Sequence, residues 1–267
     1  MAEEKRNMDN KTDEETGSPI AYIICHFDFY PYNFQQNFLE DCASQKRICG
    51  LFSRQSGKTE CIALYCIWEA MTTKDISILI VAPIQRQSSE LFQRLRLWIN
   101  RNNQIKNSLL NETQTQIVFK NGSRIQSLPA GRDGATIRGK TADILIMEEA
   151  GYIKDSIVNE VLMPMIASKP GGKIIKIGTG KRKNHFYESC FGNKSNYILH
   201  CYDYQIMLKE GIYTEEFIKE QQETLTDMEF QTEYGAKFIE DADCYFSQEL
   251  IESCTEDYPI INKNEIY

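Results

Sequence analysis

A short apolar run, a loop that ends in Gly-Lys-Thr and a helix-like run follow one another between residues 48 and 71. The apolar run is ICGLF at 48–52, and the loop is SRQSGKT at 53–59. This order is typical of a phosphate-binding loop, because unpaired amides and the dipole at the helix N-terminus attract anions. The pattern predicts that Lys58 contacts the β and γ phosphates of a nucleotide and that Thr59 binds Mg²⁺.

The loop departs from the usual phosphate-binding pattern at one position. Phe52 stands five residues before Gly57, where the pattern has its first glycine. A Gly-Lys-Thr sequence at the start of a helix also occurs by chance. The loop alone therefore leaves two interpretations open, a nucleotide site and an ordinary helix start.

Continuous apolar runs elsewhere predict strands that are buried on both faces, as in a parallel sheet. These runs lie at 76–82 and 143–147, a third parallel strand is predicted at 173–178, and a further strand is predicted at 197–202. Helical spacing predicts helices at 34–43, 60–71, 87–100, 156–166, 214–224 and 227–234, and another that starts at 185. Asn121-Gly122 predicts a hairpin between 115–120 and 124–128. Strands alternating with helices predict an α/β fold with a largely parallel sheet.

Charge and cysteine content restrict the class of protein. The net charge of −8 argues against a wholly basic nucleic-acid coat but leaves local basic patches open. The nine cysteines include no Cys-x-x-Cys pair, which argues against a zinc site and a disulfide framework. Four of them fall in apolar patterns and are predicted as reduced core thiols, namely Cys49, Cys61, Cys66 and Cys201. We expect no signal peptide and no membrane span.

Chemically capable side chains follow three of the predicted strands. In a parallel sheet, ligands bind beyond the carboxyl ends of the strands. The first strand leads into the loop at 53–59, the second into Glu148 and Glu149, and the third into Thr179. Two acids after a buried strand suit ATP hydrolysis, one at the metal and one polarising the attacking water. The alternative is a solvated acidic pair at a helix start, which the loop upstream makes the weaker interpretation.

Four segments in the same order resemble the N-terminal ATPase domain of viral DNA-packaging terminase large subunits, the motors of tailed bacteriophages. The loop SRQSGKT resembles the family's phosphate loop, and FQQNFL at 34–39 resembles its glutamine motif. IRGKTADILIMEEA at 137–150 resembles its Arg-Gly segment running into Walker B. IGTG at 177–180, followed by NHFYE at 184–188, resembles its coupling motif.

The resemblance implies a fold and a division of the chain. The fold is a P-loop NTPase of the ASCE, RecA/helicase-like class, with a mainly parallel central sheet flanked by helices and a small C-terminal helical lid. We expect a disordered tail at 1–19, an ATPase core at 20–205 and a lid at 206–240. Residues 241–267, with Asp241, Asp243 and Phe246, resemble the passage into the family's nuclease domain. We expect them to be a linker towards that domain and expect no nuclease activity from this chain.

The resemblance also implies roles for single residues. Glu149 is the catalytic glutamate, assisted by Lys58, and Arg54 touches the γ phosphate in cis. Arg138 is the finger that reaches a neighbouring subunit's nucleotide, with Arg132 as the fallback. The implied nucleotide-binding residues are Gln35, Ser53, Arg54, Gln55, Ser56, Gly57, Lys58, Thr59, Glu148 and Thr179, and the Mg²⁺ ligands are Thr59 and Glu148.

Each of these roles has a simpler alternative. Gln35, implied to read adenine, is otherwise a solvated helix residue, and Thr179, implied to sense the γ phosphate, is otherwise a turn hydroxyl. The three arginines are otherwise members of local ion pairs. The chain also departs from the family in having Glu148 where Asp is usual, and in the loose Gly178-Thr179-Gly180 sequence of the coupling motif.

The implied activity is hydrolysis of ATP to ADP and phosphate, with Mg²⁺, to move double-stranded DNA into a procapsid. The implied partners are the DNA backbone, the portal protein, the small terminase subunit and further copies of this chain in a ring. The implied location is the host cytoplasm, at the procapsid portal. The candidate DNA contacts are Arg94, Arg96, Arg101, Arg124, Lys181, Arg182 and Lys183, whose alternative is a solvated charged face. A helicase-like ATPase and a catalytically silent docking module are the competing functions.

Overall fold

The computed structural model describes residues 17–167 and 169–239. The strands are β1 (Arg47–Phe52), β2 (Ser77–Ala82), β3 (Leu109–Glu112), β4 (Gln116–Phe119), β5 (Arg124–Pro129), β6 (Ile144–Met147), β7 (Lys173–Gly178) and β8 (Ile198–Tyr202). The helices are α1 (Pro19–Phe27), α2 (Asn33–Ser44), α3 (Lys58–Thr72), α4 (Gln85–Arg101), α5 (Asn103–Asn107), α6 (Asp155–Ile157), α7 (Met163–Ala167), α8 (His185–Phe191), α9 (Tyr204–Lys209), α10 (Glu215–Thr224) and α11 (Asp227–Glu233). A 3₁₀ turn (Ala150–Tyr152) and a π-helical segment (Val158–Leu162) complete the described elements.

The strands form one mixed sheet in the order β3-β4-β5-β2-β6-β7-β1-β8. Every neighbouring pair from β5 to β8 is parallel, and β3 and β4 add an antiparallel edge. β7 lies between β1 and β6, so the loop after β1 and the acids after β6 meet at one edge across a single strand. The predicted α/β fold with a mainly parallel sheet is confirmed.

Alternate residues of the central strands enter two separate cores, one on each face of the sheet. In β2, Ile78 and Ile80 join the core beneath α1 to α4, whereas Leu79 and Val81 join the core beneath the π-helical segment and α8. All six residues of β2 are buried. Burial on both faces is the reason why these strands are continuous apolar runs in the sequence.

Several elements differ from the sequence-based prediction. The helix predicted at 156–166 is divided by the π-helical segment, and α1, α5, β3 and α9 were not predicted. α1 has Ser18 as its N-cap and a proline in its first turn, which is a helix-start signal. β3 has three exposed residues in four, so it lacks the apolar pattern that identifies a strand.

Cys49, Cys61 and Cys66 are buried as predicted, but the prediction is wrong for Cys201, which is exposed. Cys201 lies on β8, the edge strand of the sheet, where one face has less cover. The predicted tail at 1–19 falls largely outside the described residues, as do Asp241, Asp243, Phe246 and the rest of 241–267. Among the described residues, no helix has both the length and the apolar character required to cross a bilayer.

Candidate active site

The loop at 53–59 turns from β1 into α3 through two left-handed residues. Gly57 has φ of +80° and caps α3, and Gln55 has φ of +55°. A Cβ on residue 57 would lie 2.6 Å from the Gln35 amide nitrogen, so both the backbone angle and the space require glycine there. Within the described part of the chain, no acceptor is paired with the amides of Gln55, Ser56 and Gly57. The loop therefore keeps free N–H groups of the kind that bind phosphate.

Gln35 supports the loop from α2. Its Nε2 donates to the Ser56 carbonyl at 3.0 Å, and its Oε1 accepts from the Tyr32 amide at 3.1 Å. The side chain is buried, so it is not the solvated residue of the simpler alternative. Contact with adenine remains a prediction, and support of the loop is a role that sequence reasoning missed.

The entrance of the loop is held by the C-terminal part of the chain. The Ser53 amide donates to the Tyr202 carbonyl at 2.8 Å, and the Arg54 amide donates to the Glu233 carbonyl at 2.8 Å. The Tyr213 hydroxyl lies 2.8 Å from Ser53 Oγ and also donates to the Arg54 carbonyl. No motif marked Tyr213 or Glu233, since both contact the loop across more than 150 residues of chain.

Arg54 is an ion-paired residue in this structure. Its Nη1 lies 3.2 Å from Glu233 Oε2, and 60% of the Arg54 side chain is exposed. This is the arrangement that the simpler alternative predicted. Contact of the guanidinium with a γ phosphate remains a prediction, which requires that the exposed ion pair opens.

The two acids after β6 face the loop. Thr59 Oγ1 donates to Glu148 Oε1 at 3.0 Å, and Lys58 Nζ lies 2.8 Å from Glu149 Oε1. Glu149 adopts a left-handed backbone with φ of +48°, which is unfavourable for a side chain of this size and typical of strained functional turns. Both acids contact the loop, so they are not a solvated pair at a helix start.

Burial raises the pKa of Glu148 to about 7, with a further increase from the charge of Glu149. The Thr59 hydrogen bond and the charge of Lys58 act in the opposite direction. Glu148 Oε2 is buried and has no hydrogen-bond partner among the described residues. A carboxylate oxygen without a partner beside a threonine hydroxyl fits a hard divalent cation such as Mg²⁺, which binds oxygen ligands.

The coupling motif packs against the turn that carries Glu149. A Cβ on Gly178 would lie 3.3 Å from the Glu149 Cα, so a side chain there would crowd the turn. Thr179 is buried directly after Gly178, at the same edge of the sheet. The structure therefore places Thr179 beside the acids, and its role as a γ-phosphate sensor remains a prediction.

Hydrogen bonds from the start of α8 fix the same turn. Asn184 Nδ2 donates to the Gly151 carbonyl at 2.9 Å, and the ring of His185 lies 3.1 Å from the Ile153 carbonyl. The His185 amide donates to Asp155 at 3.1 Å. Burial lowers the pKa of His185 to about 4, so the ring is neutral at pH 7 and binds the carbonyl through an N–H group.

Arg138 and Arg132 lie in the loop between β5 and β6. Both are exposed and line a cavity of about 200 Å³ beside Glu160 and Val161 of the π-helical segment. Within residues 17–167 and 169–239, neither guanidinium forms an ion pair or a hydrogen bond to the loop at 53–59. The structure does not bring either arginine to this chain's own site, and a role toward a neighbouring subunit remains a prediction.

Several candidate DNA contacts are engaged within the chain. Arg94 pairs with Glu60 at 2.9 Å, and Arg96 pairs with Glu112 at 2.6 Å. The guanidinium of Arg101 stacks on the Trp98 ring. In the segment after β7, Lys181 packs over the ring of Tyr152 and Lys183 lies over the ring of Tyr187. Arg182 and Lys183 are exposed.

Comparison with known proteins gives consistent matches. The family model "Terminase large subunit, T4likevirus-type, N-terminal" matches residues 49–253. The curated terminase large subunit of Thermus phage G20c is 23% identical over 259 residues, covering 82% of this chain and 51% of the relative. This chain therefore spans about half the length of that relative.

Solved structures match the fold. The Thermus phage P74-26 large terminase ATPase domain has a TM-score of 0.70 at 20% identity, covering 83% of this chain and 99% of that one. The large terminase of a thermophilic bacteriophage, solved in complex with ATP-γ-S, has a TM-score of 0.59 at 13% identity. That match covers 78% of this chain and 53% of the thermophilic phage protein.

Proposed function

The chain belongs to the terminase large subunit family, in its T4-like N-terminal part, and we propose that it is the ATPase motor domain that drives double-stranded DNA into a procapsid. The observation that carries the proposal is the convergence of Lys58 and Thr59 on Glu149 and Glu148, from two strands separated by β7. The ATP-γ-S complex of the thermophilic phage large terminase supports a nucleoside triphosphate as the ligand of the site.

The side chains divide the work of ATP hydrolysis. Lys58 leaves Glu149 to contact the β and γ phosphates, and the free amides of the loop bind the remaining phosphate oxygens. Glu149, released from the lysine, orients the attacking water in line with the leaving phosphate. Thr59 and Glu148 are the residues that would hold Mg²⁺, which neutralises charge on the phosphates when bound.

The remaining residues have supporting roles in the proposal. Gln35 and the loop from Ser53 to Gly57 shape the nucleotide pocket, and Arg54 reaches the γ phosphate after leaving Glu233. Thr179 reports the loss of the γ phosphate to the coupling motif. Arg138, or Arg132 in its place, reaches the nucleotide of a neighbouring subunit in a ring.

We assign the ATPase core to 20–205 and the lid to 206–240. The proposed partners are the phosphate backbone of DNA, the portal protein and the small terminase subunit. The proposed cellular location is the host cytoplasm, at the procapsid portal.

Turnover of ATP by the wild type and two variants tests the function. We expect Lys58→Ala to lose nucleotide binding and Glu149→Gln to lower kcat by more than about 100-fold, because the amide cannot polarise water. Glu149→Gln should bind ATP at least as tightly as the wild type, since no ion pair to Lys58 has to break. Lys219→Ala and Glu220→Gln, both exposed on α10, are the matched controls.

The competing functions give different results in the same experiment. Wild-type protein that hydrolyses no ATP, with or without DNA and portal, would support the silent docking module. Separation of DNA strands by the purified protein would support the helicase-like ATPase.

A further inference from the structure

Tyr213 bridges the loop at 53–59 and the C-terminal helices α9 to α11. Its hydroxyl lies 2.8 Å from Ser53 Oγ and donates to the Arg54 carbonyl. Its ring packs between Phe217 and Tyr234, with centroid distances of 5.5 and 5.9 Å. One side chain therefore belongs to the aromatic core of the C-terminal helices and also touches the first two residues of the loop.

The Tyr213 contact is the protected link between these two parts. Tyr213 is 7% exposed and Ser53 is fully buried, so water does not compete for their hydrogen bond. The second side-chain link, from Arg54 to Glu233, has an arginine that is 60% exposed and is screened by solvent. Displacement of the C-terminal helices reaches the loop through Tyr213 and through the backbone hydrogen bond from the Arg54 amide to the Glu233 carbonyl, and Tyr213 is the buried side-chain route.

The direction of the Arg54 carbonyl explains why this contact matters for anion binding. A phosphate cradle needs N–H groups toward the ligand and carbonyl oxygens away from it, since a carbonyl dipole repels an anion. Tyr213 holds the Arg54 carbonyl on the side of the C-terminal helices, while the amides of Gln55, Ser56 and Gly57 stay unpaired among the described residues. The loop, with Phe52 in place of its first glycine, is thus shaped by a contact from outside it.

We propose that Tyr213 is a positioning residue that holds the phosphate-binding loop in the conformation that accepts a nucleoside triphosphate. It acts through the backbone of Arg54 and the hydroxyl of Ser53 and does not touch the nucleotide. This inference rests on the proposed ATPase function and assigns a further residue to it.

The test compares Tyr213→Phe with Tyr234→Phe in the full chain. Each variant removes one hydroxyl from the same aromatic cluster, but the Tyr234 hydroxyl donates to Gln221 on α10, at 3.2 Å, and not to the loop. We expect Tyr213→Phe to weaken ATP-γ-S binding about five- to tenfold, the effect of losing a typical hydrogen bond. Tyr234→Phe should change that affinity by less than about twofold.

Steady-state kinetics separate positioning from general loss of structure. A looser loop raises KM for ATP and leaves kcat nearly unchanged, because ground-state and transition-state binding weaken together. Partial unfolding lowers kcat through the active fraction and leaves KM unchanged. Equal affinity in the wild type and Tyr213→Phe, or equal loss in both tyrosine variants, would overturn the inference.

Ser53→Ala provides a second arm that leaves the aromatic cluster intact. We expect weaker ATP-γ-S binding, and no additional weakening when Ser53→Ala is combined with Tyr213→Phe. Unchanged affinity in Ser53→Ala would contradict the proposal even if Tyr213→Phe failed to fold. A wild type that binds no nucleotide would instead refute the proposed function itself.

Discussion

The surroundings of the Glu148 carboxyl group favour its protonated form when no cation is bound. One oxygen accepts from Thr59, and the other is buried without a partner among the described residues. Burial raises its pKa from 4.5 to about 7, so folding favours the protonated form. The same burial that provides an unpaired oxygen ligand for a metal ion therefore destabilises the ligand-free protein wherever the acid is ionised.

The sign of this effect predicts how stability depends on pH. Between pH 4.5 and about 7 the unfolded chain loses the proton of Glu148 while the folded chain retains it, so stability falls as pH rises. The loss amounts to about 3 kcal/mol. We expect Glu148→Gln to be about 1–3 kcal/mol more stable than the wild type at pH 8 and within about 1 kcal/mol of it at pH 5.

Urea unfolding of the nucleotide-free protein at both pH values measures this difference. Glu220→Gln, which makes the same substitution at an exposed acid, is the control. An advantage of Glu148→Gln that is the same at both pH values would refute the assignment of the effect to this titration.

Gln35 gives a prediction about nucleotide specificity. Both ends of its amide are engaged, with Ser56 and Tyr32, so removal of the side chain loosens the loop. We expect Gln35→Ala to weaken ATP and GTP binding by the same factor, about five- to fiftyfold. Gln36→Ala, which loses only a contact to the Pro31 carbonyl, is the control. A loss confined to ATP would show instead that the Gln35 amide reads adenine.

At the level of elements, β7 and the segment after it connect the acids with the end of the described chain. Gly180 approaches the backbone of Lys237 so closely that a Cβ would lie 1.9 Å from the Lys237 carbonyl oxygen. The Ile239 amide then donates to the Lys181 carbonyl at 2.7 Å. The coupling motif is thus packed between the turn of Glu149 and residues 237–239.

Substitutions at Gly180 and Gly151 compare a closely packed position with one in ordinary van der Waals contact. We expect Gly180→Ala to destabilise the protein by about 1–3 kcal/mol, because backbone has to move to admit the methyl group. Gly151→Ala should cost less, since its nearest neighbours would lie 3.6 Å from the new Cβ. Thermal unfolding of both variants measures the two losses of stability. Equal losses would show that segment 237–239 moves aside without a free-energy penalty.

The elements with strong periodic patterns were predictable from the sequence, and the others were not. β2 and β6 are nearly continuous apolar runs because both faces of the sheet are covered. The edge strand β3 carries no such pattern, and the π-helical segment interrupts a helix without any glycine in Val158–Leu162.

The candidate site shows the same division. Residues on the loop and at strand ends were identified because their position follows from the order of elements in a parallel sheet. Tyr213 and Glu233 were missed because their contacts depend on the placement of three helices far along the chain, which no local pattern specifies. The ion pair of Arg54 was foreseen only as one of two alternatives.

At the level of the whole molecule, the proposed DNA binding requires a chain of net charge −8 to concentrate its positive charge on one surface. The arginines of α4 are engaged by Glu60, Glu112 and the Trp98 ring. Lys181 and Lys183 also have partners, the rings of Tyr152 and Tyr187, so the two surfaces differ in position and not in being free. The run at 181–183 follows the coupling motif at the edge of the sheet where the proposed nucleotide site lies. Of the two candidate surfaces, the run at 181–183 is better placed to link DNA contact with hydrolysis.

Salt-dependent DNA binding distinguishes these surfaces. We expect a triple variant with Gln at Lys181, Arg182 and Lys183 to weaken duplex binding and to reduce the slope of log K against log salt by about 2–3. The matched triple variant with Gln at Arg94, Arg96 and Arg101 should change the slope by less than about 1. Fluorescence anisotropy measures both slopes. A larger change of slope in the α4 variant than in the 181–183 variant would place the DNA on α4.

The dependence of the loop on Tyr202, Tyr213 and Glu233 has a consequence for the order of events during synthesis of the chain. A ribosome completes residues 53–59 about 150 residues before it reaches the partners that shape them. A nascent chain that ends before residue 233 carries the complete loop sequence without all of the contacts at its entrance. The proposed binding of nucleotide is therefore acquired late, after the contacts at the entrance of the loop have formed.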